Sequence, residues 1–188
     1  MMTHRQALEV LAAHRGERIV ISTMGSGGIW PKLSDTGRDF AYLPSSMGQG
    51  IALGLGLALA RPAERVVVLM GDGSLLMNLG SLVTVAQHPA NLVVVLIDNG
   101  LYEITGGQPV AGAGRTDFAG LARAAGIARV YGCDTLEQWQ NTADEALDGP
   151  GPVFVWLKVA GTHGQQTPAP PRTMPEQIAR LRAALGVG

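Results

Sequence analysis

The stretch VVVLMGDGSLLMN, residues 66–78, sets an aspartate between two glycines directly after an unbroken aliphatic run. Such a run, rich in valine and closed by glycine, reads as a strand covered on both faces in a parallel sheet. NLVVVLI at 91–97 and PVFVWLKV at 152–159 share the pattern, and shorter runs fit strands at 18–22 and 128–132. Between them the spacing predicts helices over 3–14, 46–60, 75–87, 116–125, 134–148 and 174–185, with Thr116 and Asp134 as N-caps. Strands alternating with helices imply right-handed crossovers and an α/β fold: a three-layer α/β/α sandwich around a mostly parallel sheet.

The rest of the chain fits one domain over residues 1–188, with a Pro-rich segment at 161–175 leading to the last helix. Fourteen basic against 15 acidic residues leave a net charge of −1, without the basic cluster that nucleic acid or an anionic membrane would require. The longest apolar stretch, IALGLGLALA at 51–60, is too short to span a bilayer. The N-terminus is polar and helix-like, without the apolar region of a signal peptide. A single cysteine, Cys133, allows no internal disulfide and suits the cytoplasm. It reads as a small buried hydrophobe. The 26 glycines gather in short loops between apolar runs, as in a protein whose backbone approaches something closely.

In a parallel sheet, ligands bind beyond the carboxyl ends of the strands. Asp72 stands at that edge. Gly71 and Gly73 permit a sharp turn, and Ser74 opens a helix whose free N–H groups favour a phosphate. Taken alone the stretch is equally a tight turn, since Asp-Gly is a common turn pair. The next strand tips the balance, because NLVVVLI ends in Asp98-Asn99-Gly100 and so brings Asn99 to the same edge as Asp72. A carboxylate, an amide oxygen and a backbone carbonyl form an all-oxygen set. It suits Mg²⁺, whose remaining shell comes from water and a diphosphate.

GDGSLLMN followed by DNGLYE resembles the diphosphate-binding half of thiamine diphosphate (ThDP) enzymes: GDG at a strand end, a spacer, then an asparagine at the next strand end. The resemblance covers roughly residues 18–158. It implies that Asp72, Asn99 and the carbonyl of Leu101 bind Mg²⁺, with Gly71, Gly73 and Ser74 against the diphosphate. In the family a G-x-[Ile/Leu/Met]-G segment holds the aminopyrimidine. Here it reads Ser45-Ser46-Met47-Gly48, with Met47 as the wedge that bends the cofactor and the Ser45 carbonyl as an acceptor. The loop Thr23–Gly28, with Gly25 and Ser26, lies where relatives make a second diphosphate contact. Tyr102, Glu103, Ile104 and Thr105 follow the metal loop and face the reactive thiazolium, which makes Glu103 and Thr105 the candidate catalytic residues. Glu103 reads either as a solvated acid or as an acid/base.

Within the superfamily, NGLYEITGGQPV resembles sulfopyruvate and phosphonopyruvate decarboxylases, and the chain has the length of a sulfopyruvate decarboxylase β subunit. Two departures stand out. Those relatives carry Ser-Arg-Glu after the first strand, where this chain has Ser26-Gly27-Gly28-Ile29-Trp30, so a contact to an anionic substrate is missing. Gln49 stands where relatives often have histidine. His163 and Arg172 of the Pro-rich segment read as solvated, and His4, His14 and His88 carry no assigned chemistry.

In the family, activating ThDP requires a glutamate from a second, pyrimidine-binding domain, for which 188 residues leave no room. The resemblance therefore implies a separate α subunit, a hetero-oligomer (or a homodimer of this chain) and a small 2-keto acid as substrate. The alternatives are a ThDP subunit of another lyase, a carboligase or an oxidoreductase, or a non-catalytic regulatory module that binds a diphosphate. A lone cysteine disfavours iron–sulfur oxidoreductases.

Overall fold

The computed structural model describes all residues except 164, 165, 167 and 188, so part of the expected Pro-rich segment lies outside the described residues. The strands are β1 (Met2–Thr3), β2 (Ile19–Thr23), β3 (Asp39–Tyr42), β4 (Val66–Gly71), β5 (Leu92–Asp98), β6 (Leu101–Tyr102), β7 (Gln108–Pro109), β8 (Arg129–Cys133) and β9 (Val153–Ala160). The helices are α1 (His4–Ala13), α2 (Met24–Ile29), α3 (Gly50–Ala60), α4 (Asp72–Leu76), α5 (Ser81–Ala86), α6 (Phe118–Ala124), α7 (Leu136–Asp148) and α8 (Met174–Ala184).

The central sheet is parallel, in the order β3-β2-β4-β5-β9. β8 pairs with the first residues of β9 and β1 with its last two. Alternate residues of each strand feed two separate cores, as a pleat with helices on both faces requires. Val67, Leu69, Val93, Val95, Val155 and Leu157 pack with α1 and α7. Val66, Val68, Met70, Val94 and Leu96 pack with α3, α5, α6 and residues near α8. This is the three-layer α/β/α sandwich expected from the sequence.

Several boundaries differ. The helix expected over 75–87 is two, α4 and α5, broken where Asn78 Nδ2 donates to the Gly48 carbonyl at 3.1 Å. An asparagine that bonds outside its own turn favours a break. The helix expected from 46 starts at Gly50, because Gly48 sits at φ +83° in a turn. The cap of α7 is Thr135, which accepts from Gln138 N in a capping box, rather than Asp134. The cap of α6 is Asp117, which accepts from Gly120 N at 2.8 Å, rather than Thr116. In both, the neighbouring residue has the geometry to reach the third N–H, which Asp134 and Thr116 lack. The glycine-rich loop expected after the first strand is the short helix α2, entered through Met24 at φ +47°. β1 and β3 carry no signal strong enough to be read from sequence.

Candidate functional site

The register sets the site. Gly71, the last residue of β4, pairs with Ile97 of β5, so Asp72 leaves the sheet level with Asp98 and one residue before Asn99. Ser22 of β2 pairs with Leu69 of β4, which brings Met24 and Gly25 to the same height. One pocket at this carboxyl edge is lined by Thr23, Met24, Gly25 and Ser26 after β2, by Met47, and by Gly71, Asp72, Gly73 and Ser74 after β4. Asn99, Leu101, Tyr102, Glu103, Ile104 and Thr105 after β5 complete the wall, together with Ile97 and His4. Five separated segments thus converge. Among the expected residues, Ser45 and Ser46 do not line the pocket, and Ser46 is exposed.

Met47 is held by its neighbour. Gly48 N donates to Ser74 Oγ at 2.8 Å and the Gly48 carbonyl accepts from Asn78, so the turn is clamped onto α4. A Cβ at Gly48 would stand 2.8 Å from Asn78 Cβ, and its φ is positive, so glycine is required there. At Gly73 a Cβ would lie 2.4 Å from Tyr102 Cε1, which shows how closely the Tyr102 ring covers the GDG turn.

Asp72 is 1% exposed. Its Oδ2 accepts from Gly100 N at 3.0 Å, which ties the two strand ends together. Burial, together with the neighbouring Asp98, pushes its carboxyl up to about 7. Asp98 is itself engaged, accepting from Trp156 Nε1 at 2.8 Å. Among the described residues no lysine or arginine lines the pocket. A buried carboxylate beside a second one, without a cationic side chain, is the environment a divalent cation corrects. Asn99 Oδ1 accepts from Leu101 N at 2.9 Å and keeps lone pairs for a further partner. Among the described residues no group of three or more His, Cys, Asp or Glu is arranged to hold a metal. The Asp72 carboxylate and the Asn99 amide oxygen stand at this edge, and oxygen donors of this kind are the ones Mg²⁺ takes.

The model of the thiamine pyrophosphate enzyme C-terminal TPP-binding domain matches residues 32–157. The chain belongs to this family. Thiamine pyrophosphate is thiamine diphosphate under its other name. Sulfopyruvate decarboxylase subunit beta from Methanothermobacter thermautotrophicus is 39% identical over 162 residues, 85% of this chain and 83% of that one. Phosphonopyruvate decarboxylase from Streptomyces viridochromogenes is 37% identical over 184 residues, 96% of this chain but 46% of that one. The chain thus spans less than half of the phosphonopyruvate decarboxylases it matches. Among solved structures, benzoylformate decarboxylase from Polynucleobacter necessarius superposes with a TM-score of 0.70 at 20% identity, over 88% of this chain and 34% of that one. That likeness supports the family fold.

The structure also brings in residues that sequence reading left out. His4 lines the pocket, with Nε2 2.9 Å from Ser26 Oγ. Its one legible signal was the capping box Thr3-His4-Arg5-Gln6, which starts α1 at that residue. Trp30 is 1% exposed in the core and donates to Asp39 Oδ1 at 2.8 Å. Arg172 pairs with Asp35 far from the pocket, and His163 lies beside Gly107. Glu103 Oε1 accepts from Thr162 N at 2.7 Å, and Thr105 is exposed at the rim.

Proposed function

We propose that the chain is the ThDP- and Mg²⁺-binding (β) subunit of a heteromeric 2-keto-acid decarboxylase, with the subunit architecture of the sulfopyruvate enzyme. The observation that carries this reading is the buried Asp72 carboxylate, level with Asp98 and one residue before Asn99, in a pocket that Leu101 also lines and with no lysine or arginine among its described lining residues.

In this reading Asp72, Asn99 and the Leu101 carbonyl would hold Mg²⁺. Gly71, Gly73 and Ser74 receive the diphosphate at the GDG turn, joined by Gly25 and Ser26. Met47 supports the bend of the cofactor, with Ser45 and Ser46 in the adjoining turn. Bound ThDP supplies the electron sink that accepts the pair released as CO₂ departs from a 2-keto acid. Tyr102 covers the GDG turn and excludes water from it. Glu103 and Thr105 would face the reacting end of the cofactor as the candidate catalytic residues, with Thr162 N donating to Glu103 Oε1.

The activating glutamate comes from a separate α subunit that supplies the pyrimidine-binding domain. The relative that bears the name "subunit beta", matched over 83% of its length, supports such a split. The whole of residues 1–188 acts as one cofactor-binding domain, in the cytoplasm. No helix among the described residues is long and apolar enough to cross a membrane.

The test is reconstitution. The purified chain with ThDP and Mg²⁺ is assayed for CO₂ release from small 2-keto acids, with and without a co-expressed partner of similar size that bears a strand-end glutamate. Activity is expected only in the mixture, and Asp72→Ala in this chain should abolish it. Turnover by the isolated chain, or full activity of the Asp72→Ala complex, contradicts the proposal.

A further inference from the structure

β1 pairs with the last two residues of β9, Met2 with Val159 and Thr3 with Ala160, so α1 begins at the carboxyl edge of the sheet. Thr3 accepts from Gln6 N at 3.1 Å and fixes that start. His4, the first residue of α1, therefore reaches the pocket from a direction that none of the strand-end loops supplies. Its Nε2 lies 2.9 Å from Ser26 Oγ, and Ser26 is 2% exposed. A Cβ built on Gly25 would stand 3.4 Å from His4 Cε1. The imidazole thus lies along Gly25 and Ser26, the two residues of this loop that the proposed function sets against the diphosphate.

Burial lowers the His4 pKa to about 4, so near pH 7 the ring is neutral and carries one proton, on Nδ1 or on Nε2. The two placements give Ser26 opposite roles. With the proton on Nδ1, Nε2 takes the hydroxyl proton of Ser26 and leaves only lone pairs on Oγ for the pocket. The oxygens of a metal-bound diphosphate are acceptors too, and two acceptors repel. With the proton on Nε2, the ring donates to Ser26 Oγ, and the hydroxyl proton is free for the pocket. Ser26 is then a donor to an anion, the stronger kind of hydrogen bond. Ser26 Oγ is also the one hydrogen-bond partner of the ring among the described residues, so a proton on Nε2 meets an acceptor there and a proton on Nδ1 meets none.

We infer that His4 is a positioning residue for the diphosphate: from Nε2 it donates to Ser26 Oγ and so makes the Ser26 hydroxyl a donor to the cofactor. This rests on the function proposed above, which sets the diphosphate at Gly25 and Ser26.

The test uses the full chain joined by the candidate α subunit, at pH 7 in Mg²⁺. ThDP and inorganic pyrophosphate are titrated by calorimetry into wild type, His4→Leu, His4→Gln, Ser26→Ala and the double variant His4→Leu/Ser26→Ala, each checked by circular dichroism. Loss of a hydrogen bond to a charged group weakens binding by about tenfold or more, so His4→Leu and Ser26→Ala should each weaken both ligands by that factor. The double variant should bind no worse than Ser26→Ala alone, because His4 acts only through that hydroxyl. His4→Gln, whose amide can donate in place of Nε2, should stay within about threefold of wild type. Long-range proton–nitrogen NMR spectra of ThDP-bound wild type should show His4, identified by the signal that His4→Gln removes, protonated at Nε2. Protonation at Nδ1 instead would overturn the inference. So would additive losses in the double variant, or full affinity in folded His4→Leu. The NMR result is read on wild type and decides the matter even where His4→Leu does not fold. Absence of ThDP binding by the wild-type complex removes the underlying function instead, and this inference with it.

Discussion

Asp72→Asn separates a structural aspartate from one kept for a ligand. The carboxyl is displaced from its ordinary 3.8 to about 7, first by burial and then by Asp98. A folded-state value above the unfolded one means that the native state binds the extra proton between these limits, so the aspartate lowers stability as pH rises through that window. Each tenfold change in proton affinity is worth about 1.4 kcal/mol, so the full displacement corresponds to roughly 4 kcal/mol lost from folding at pH 8. Coupling to Asp98 and local relaxation reduce this, and asparagine keeps an acceptor for Gly100 N–H. The metal-free Asp72→Asn chain should therefore be more stable than wild type by about 1–3 kcal/mol at pH 8, and nearly equal to it at pH 4.5. The assay is urea unfolding in EDTA at both pH values, compared at equal m-value. The same variant should lose Mg²⁺-dependent ThDP binding. A variant less stable than wild type at pH 8 would refute the reasoning, since Asp72 would then serve the fold.

Two further predictions concern the frame that holds the site. A Cβ at Gly54 would sit 2.3 Å from Val68 Cγ2, at the contact between α3 and β4. Gly54→Ala should therefore cost about 1–3 kcal/mol by denaturant unfolding, and Val68→Ala in the same chain should recover part of it; simple additivity of the two would contradict this packing. Because Thr135 caps α7, Thr135→Ala should cost about 1 kcal/mol, whereas Asp134→Ala should stay within about 0.5 kcal/mol in the same assay. The reverse order would restore Asp134 as the cap.

Much of this was legible in the sequence, for identifiable reasons. β4, β5 and β9 announce themselves because strands buried on both faces need unbroken apolar runs, and their ends carry Asp72 and Asn99 to one edge by geometry alone. Met47 was legible only through the resemblance of Ser45-Ser46-Met47-Gly48 to a family segment, and it lines the pocket beside the turn that Gly48 permits. What escaped lies in contacts between segments distant in the chain. β1 is two residues long and exists because β9 offers it an edge beyond β8, and only that pairing brings His4 to Ser26. Asp98 hid behind Asn99. Its importance comes from standing level with Asp72 on the neighbouring strand and from accepting from Trp156 on β9. Trp30, close to the site in sequence, packs inward instead, because half-buried Asp39 takes its N–H.

The most direct measurement of the central claim is calorimetric titration of the purified chain with ThDP, in Mg²⁺ and in EDTA, repeated after adding the candidate α subunit. Binding that requires the metal and tightens with the partner is the predicted result. Binding equal in Mg²⁺ and EDTA, or none in any condition, would contradict a metal-held diphosphate at Asp72 and Asn99.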